Sequence, residues 1–116
     1  MIDSTPRFLN GAYAFAGAGY DKPALLDASL AYVVPADRRA QMIYLRAGNS
    51  SGELAAVSLV QDGKTARIFP IGAKSSVHVP LAVVEDLQPD TRIEVFCAAA
   101  AGTNGTIVLD IGIIEI

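Results

Sequence analysis

Tryptophan is absent from this chain, and cysteine and histidine occur once each, as Cys97 and His78. A lone cysteine closes no disulfide within the chain, so nothing signals an oxidising compartment. One histidine and one cysteine are too few for a zinc or copper centre, and the two histidines beside a cysteine that cupredoxin chemistry needs are missing. No metal and no cofactor is expected.

Charge is scarce as well. Only 18% of the residues are charged, against about a quarter in an ordinary soluble domain. With 9 Lys+Arg against 12 Asp+Glu the net charge is −3, and Arg38-Arg39 is the one basic pair. That is no footprint for a phosphate backbone, so nucleic acid is not an expected partner. The longest apolar run, Val95 to Ala101, has seven residues, where a helix crossing a bilayer needs about 20. No membrane association is expected. The opening Met1-Ile2-Asp3-Ser4 carries an acid where a secretory signal carries bases, and the chain reads as unprocessed and cytoplasmic.

Catalytic signatures are missing too. There is no G-x-S-x-G elbow, and the glycines between Gly11 and Gly19 match neither a P-loop nor a dinucleotide fingerprint. Cys97 lies in an apolar stretch with no base beside it, which describes a packing cysteine. The adjacent acids Glu85-Asp86 stand close to Pro89 and read as a solvated turn. The chain is therefore not expected to be an enzyme.

What the sequence does contain is 52% hydrophobic residues in 116, enough to fill the core of one domain spanning residues 1–116. Turn-forming clusters recur at short intervals, among them Asp21-Lys22-Pro23, Asp62-Gly63-Lys64 and Gln88-Pro89-Asp90. Between them lie strand-length segments rich in Val, Ile, Tyr, Phe and Thr, at 7–16, 25–34, 39–47, 53–61, 65–69, 74–83, 91–99 and 105–116. Helix is confined to one possible turn between Val84 and Leu87, stopped by Pro89. About eight strands without helices predict an all-β fold, an antiparallel β-sandwich of jelly-roll type.

Within that frame, Asp62-Gly63 predicts a tight hairpin between 54–60 and 65–69. Alternation over 92–97 places Ile93, Val95 and Cys97 on the core face. The last strand is apolar on both faces and its alternation changes phase near Gly112, which predicts a bulge there. Ile111, Ile113, Ile114 and Ile116 cannot all point one way, so these four residues form a candidate subunit interface, and a homo-oligomer is expected.

The candidate ligand or interaction loop consists of Arg46, Asn49, Ser50 and Ser51, with His78 predicted to face away from Val77 and Val79. Such side chains on a rigid scaffold can hydrogen-bond a sugar or a carboxylate. The plainer alternative is an ordinary loop in which Asn49 takes a left-handed backbone and Arg46 pairs with Glu53. Tyr13, Tyr20, Tyr32 and Tyr44 offer stacking faces, although Tyr32 and Tyr44 are expected to pack inward.

The runs LRAGNSSGEL, VQDGKTARIFPIGAKSSVHVPLAVVEDLQPDTRIEV and GTIVLDIGIIEI resemble those of small bacterial proteins often labelled molybdopterin oxidoreductase or assimilatory nitrate reductase, over about residues 38–116. Enzymes of that label are far larger and hold a pterin between several domains. The resemblance therefore implies at most an accessory or neighbour of a redox enzyme and carries over no catalytic residue. Two functions stand in order: a non-enzymatic protein that self-associates or docks to a partner protein, then a small-ligand or carbohydrate-binding module.

Overall fold

The computed structural model describes residues 4–81 and 85–116. Nine strands occur among them: β1 (Thr5–Ala16), β2 (Ala24–Leu25), β3 (Tyr32–Val33), β4 (Ala40–Asn49), β5 (Ala55–Gln61), β6 (Lys64–Ile71), β7 (Ser76–Pro80), β8 (Arg92–Ala99) and β9 (Asn104–Glu115). They form two antiparallel sheets. The first has the order β1-β9-β4-β7 and the second β2-β8-β5-β6, with β3 also paired to β8. Counting β2 and β3 as one interrupted strand gives eight, four to a sheet. Apart from that break and the β5–β6 hairpin, every connection crosses from one sheet to the other, which is the jelly-roll arrangement.

The break between β2 and β3 is a single 3-10 turn, Ala28–Leu30. Asp27 caps it by accepting hydrogen bonds from the Ser29 amide (2.8 Å) and hydroxyl (2.6 Å). Those bonds hold the Asp27 carboxyl below its ordinary value. The turn drops Leu30 into the core, and so the segment expected as one strand over 25–34 is two.

The β5–β6 hairpin turns at Asp62 (φ 49°) and Gly63 (φ 82°), the pair of positive angles that a two-residue turn needs to match strand twist. The core lies between the sheets. Leu45 and Ala47 of β4 and Ile107, Leu109, Ile111 and Ile113 of β9 face Val57 and Leu59 of β5, Phe69 and Ile71 of β6, and Ile93, Val95 and Cys97 of β8. Burying each large aliphatic side chain contributes about 1.5–3 kcal/mol. Cys97 packs as expected, and burial pushes its thiol up to about 11.

A polar link between side chains spans the sandwich. Glu115 at the end of β9 is 3% exposed, pairs with Arg7 Nε of β1 at 3.3 Å, and accepts a hydrogen bond from the hydroxyl of Tyr32 on β3 in the opposite sheet. Desolvation, then the Glu115 carboxylate, drive the Tyr32 hydroxyl well above its ordinary value.

Two expectations need correction. β9 runs without a bulge along its whole pairing with β1; the irregularity sits on its other neighbour, β4, where Ile43 is the extra residue between Met42, opposite Ile113, and Tyr44, opposite Gly112. Further, Ile111 and Ile113 are buried in the core of their own chain and are unavailable to a second subunit. β9 is central, and its odd-numbered residues from Ile107 to Ile113 form one side of the core. Ile114 faces outward and half-buried, and Ile116 is half-buried with its amide donating to Arg39 O at 2.7 Å. As for the helical turn expected over 84–87, Val84 lies outside the described residues, and Leu87 forms an antiparallel bridge with Ala40. Among the described residues no helix is long and apolar enough to cross a membrane.

Candidate functional site

The extra residue in β4 decides which side chains reach the surface. Ala40 points inward; with Ile43 inserted, so do Leu45, Ala47 and Asn49, and Tyr44, Arg46 and Gly48 turn outward. Tyr44 therefore does not pack into the core as expected, because the bulge reverses the alternation just before it. Directly opposed residues of an antiparallel sheet share a face. The outer face of the first sheet can thus be read across all four strands.

Two neighbouring rows result. One runs Phe8 (β1), Gly112 (β9), Tyr44 (β4), Pro80 (β7). The next runs Asn10, Asp110, Arg46, His78 on the same four strands. The first is aromatic and apolar, and the second is wholly polar.

Tyr44 joins them. Its ring leans across Gly112, where any Cβ would overlap it, so glycine at that position makes room for the ring. Its hydroxyl donates to Asp110 Oδ2 at 3.0 Å. Desolvation and the Asp110 carboxylate raise that hydroxyl above its ordinary value, with Arg46 acting in the opposite sense. The Arg46 guanidinium carbon stands 5.1 Å from the ring centroid, a cation–π distance, and the His78 ring meets Tyr44 edge-on at 6.2 Å. Beyond Gly112, Phe8 is 57% exposed, and Pro6, Ile43 and Ile114 complete a shallow apolar hollow of about 150 Å³ beside it.

On the other side of the polar row an open groove of about 630 Å³ lies along β4, β7 and β9, with Arg46, His78 and Asp110 at one end. It continues past Gly48, Ser76 and Val108 to Ser50 and Lys74.

Of the residues singled out from sequence, Arg46 and His78 are brought together as register partners on adjacent strands, and both are exposed. Asn49 and Ser51 are not part of a ligand loop. Asn49 is buried at the end of β4, donates to the carbonyls of Glu53 (2.8 Å), Ile71 (3.2 Å) and Gly72 (3.3 Å), and accepts from the amide (2.9 Å) and hydroxyl (2.8 Å) of Ser51. Both side chains are spent on tying the loop to β6, because backbone groups buried there require partners. Nor does Asn49 adopt a left-handed backbone. Arg46 is engaged with Tyr44 rather than Glu53. Ser50 is exposed at the groove end, its Oγ accepting from Thr106 N at 2.8 Å.

Phe8, Asn10 and Asp110 were not singled out from sequence. A signal existed for one of them: Asp110 is the one charge in the run Ile107 to Ile114, which is otherwise apolar. Tyr13 and Tyr32 pack against the core, and Tyr20 donates to Leu54 O at 2.8 Å. Among the described residues no group of three or more His, Cys, Asp or Glu is placed to hold a metal ion.

No protein-family model matches this sequence, and no curated protein does. Solved structures do. The chain is similar to the CBM36-1 domain of a multidomain xylanase from the hindgut metagenome of Trinervitermes trinervoides, at 14% identity and TM-score 0.58, covering 95% of this chain and 96% of that one. It is also similar to part of a chain of infectious bursal disease virus, Gx strain, at 16% identity and TM-score 0.53, covering 98% of this chain and 32% of that one. At these identities the likeness is one of fold: this chain is an antiparallel β-sandwich.

Proposed function

We propose that this protein is a carbohydrate-binding module, with its site on the outer face of the β1-β9-β4-β7 sheet. The observation that carries the reading is the pair of adjacent rows, Phe8–Gly112–Tyr44–Pro80 and Asn10–Asp110–Arg46–His78. A pyranose presents an apolar C–H face and a rim of hydroxyls. An exposed aromatic beside a line of donors and acceptors on rigid strands meets both demands at once. The similarity in fold to a domain named as carbohydrate-binding supports the same reading. Binding would be reversible and involve no bond chemistry.

The test is a glycan array followed by calorimetry on any saccharide retained. Phe8→Ala and Tyr44→Ala should each weaken binding about tenfold or more, the factor that 1.4 kcal/mol represents, while both variants keep the wild-type fold. An array on which nothing is retained sinks the proposal.

A second reading, self-association, is favoured by the outer face of the other sheet. There Leu25 pairs with Phe96 and Ser58 with Ile68 across four strands, and Ile68 is 60% and Val33 48% exposed. An interface on that face would take the place of the one expected on β9. Light scattering on wild type and Ile68→Asp addresses it: a wild-type monomer at micromolar concentration counts against this reading.

A further inference from the structure

The groove beside the platform carries charges that a neutral sugar does not need. Two cations line it, Arg46 at one end and Lys74 at the other. Among the described residues neither has a carboxylate within 4.0 Å. Among the described residues the one acid lining the groove is Asp110, whose carboxylate accepts a hydrogen bond from the Tyr44 hydroxyl. His78 is the remaining titratable group there.

The floor between the two cations is Gly48, where an added Cβ would come no nearer than 3.9 Å to Ser76 and 4.0 Å to Val108. Arg46 and Gly48 share the outer side of β4 and Ser50 follows its end, so the floor runs for about 13 Å at the usual rise per residue. Lys74 belongs to the β6–β7 turn, where its amide donates to Ser51 O at 2.9 Å, and it holds a left-handed backbone at φ 51°. Glycine would adopt that conformation without strain. A lysine there costs stability and sets an ammonium group on the groove rim.

We infer that the groove over Gly48 selects acidic oligosaccharides, holding one uronic acid carboxylate at Arg46 and another at the Lys74 end while a neighbouring sugar lies on the Phe8 and Tyr44 platform. This rests on the saccharide-binding reading above. The planar guanidinium of Arg46, with five N–H donors, fits a carboxylate in two-point fashion, and Lys74 adds a point charge at the far end.

The experiment compares an oligogalacturonate with its methyl ester of equal length, titrated into the full chain at low and high salt. The acid is expected to bind about tenfold more tightly than the ester, with the advantage shrinking at high salt. In Lys74→Gly and in Arg46→Gln the acid-to-ester ratio should fall about fivefold or more. Lys74→Gly removes an unfavourable backbone angle, so it retains the fold and its loss reports on charge. Equal binding of acid and ester overturns the acidic preference and leaves the carbohydrate reading standing. An acid preference untouched by both substitutions places the carboxylate elsewhere and also overturns the inference. Failure of both ligands and of every neutral saccharide on the array removes the carbohydrate reading itself.

Discussion

On the inner side of β9, Ile107 and Ile111 are 0% exposed and Leu109 is 2% exposed. One residue over, on the outer side, Val108 is 58% exposed, Asp110 is bonded to a tyrosine, and Gly112 lies under that tyrosine's ring. One strand thus builds a core with one parity and a mixed, open surface with the other. From Ile107 to Ile113 the inner face is uniformly aliphatic and tolerates only what fits. The outer face mixes ring, amide, acid, guanidinium and imidazole, a composition that packing does not require.

The sharpest way to break this contrast is to place the same charge on each side. Ile107→Asp buries an unpaired carboxylate and should cost more than ~4 kcal/mol, enough to unfold a domain of ordinary stability. Far-UV circular dichroism would show the loss, and a variant that melts like wild type refutes the inner placement.

Next in size is the polar link across the core. Tyr32→Phe removes a hydrogen bond to a buried carboxylate and should cost about 1.5–3 kcal/mol in urea unfolding. It should also alter the alkaline limb of stability. The folded-state values of Tyr32 and Cys97 are both raised. Each group therefore contributes stability that is complete below its unfolded value and is lost as pH rises toward the folded one. For Cys97 the window runs from the ordinary 9.0 to about 11, and for Tyr32 it opens above the ordinary 10.0. In Tyr32→Phe the stability lost above pH 10 should be visibly smaller.

Gly63→Val lies on neither face and sets the scale of a pure backbone effect. Nothing lies within 4 Å of a Cβ there, so the expected loss of more than ~1 kcal/mol comes from forcing a β-branched residue to positive φ. An unchanged melting temperature would contradict the turn geometry. Smallest of all, Val108→Asp should change stability by no more than about 0.5 kcal/mol. A large drop would show that the outer face of β9 is covered and is not open.

Much of this was legible in the sequence. Turn chemistry and β-rich segments predict the strands closely, and Asp62-Gly63 and the alternation through Ile93, Val95 and Cys97 hold residue by residue. The phase change expected near Gly112 does not occur, since β9 keeps its odd-numbered residues inward from Ile107 to Glu115 and the bulge opposite Gly112 is carried by β4. A bulge belongs to a pair of strands, and a single sequence does not say which member carries the extra residue. That one ambiguity hid the site, since the orientation of Tyr44 and Arg46 follows from Ile43. Phe8 and Asn10 were illegible for another reason: they join Asp110 and Arg46 only through pairings between strands about a hundred and about sixty residues apart in sequence. Asn49 and Ser51 looked like ligand residues because the side chains that tie a loop are the same types that bind a sugar.

The place of β9 in the first sheet has a consequence for how the molecule is made. Of the nine described strands β9 is the last to be synthesised, yet it lies between β1 and β4, the first and fourth of them to be made. Until it arrives, β1 has no partner in its sheet and β4 exposes an unpaired edge, with the apolar faces of both still uncovered. Folding must therefore wait for the most distant pairing in the sequence, which makes it slow and leaves a nascent or truncated chain open to aggregation. Chains cut before Asn104 should collect in the insoluble fraction.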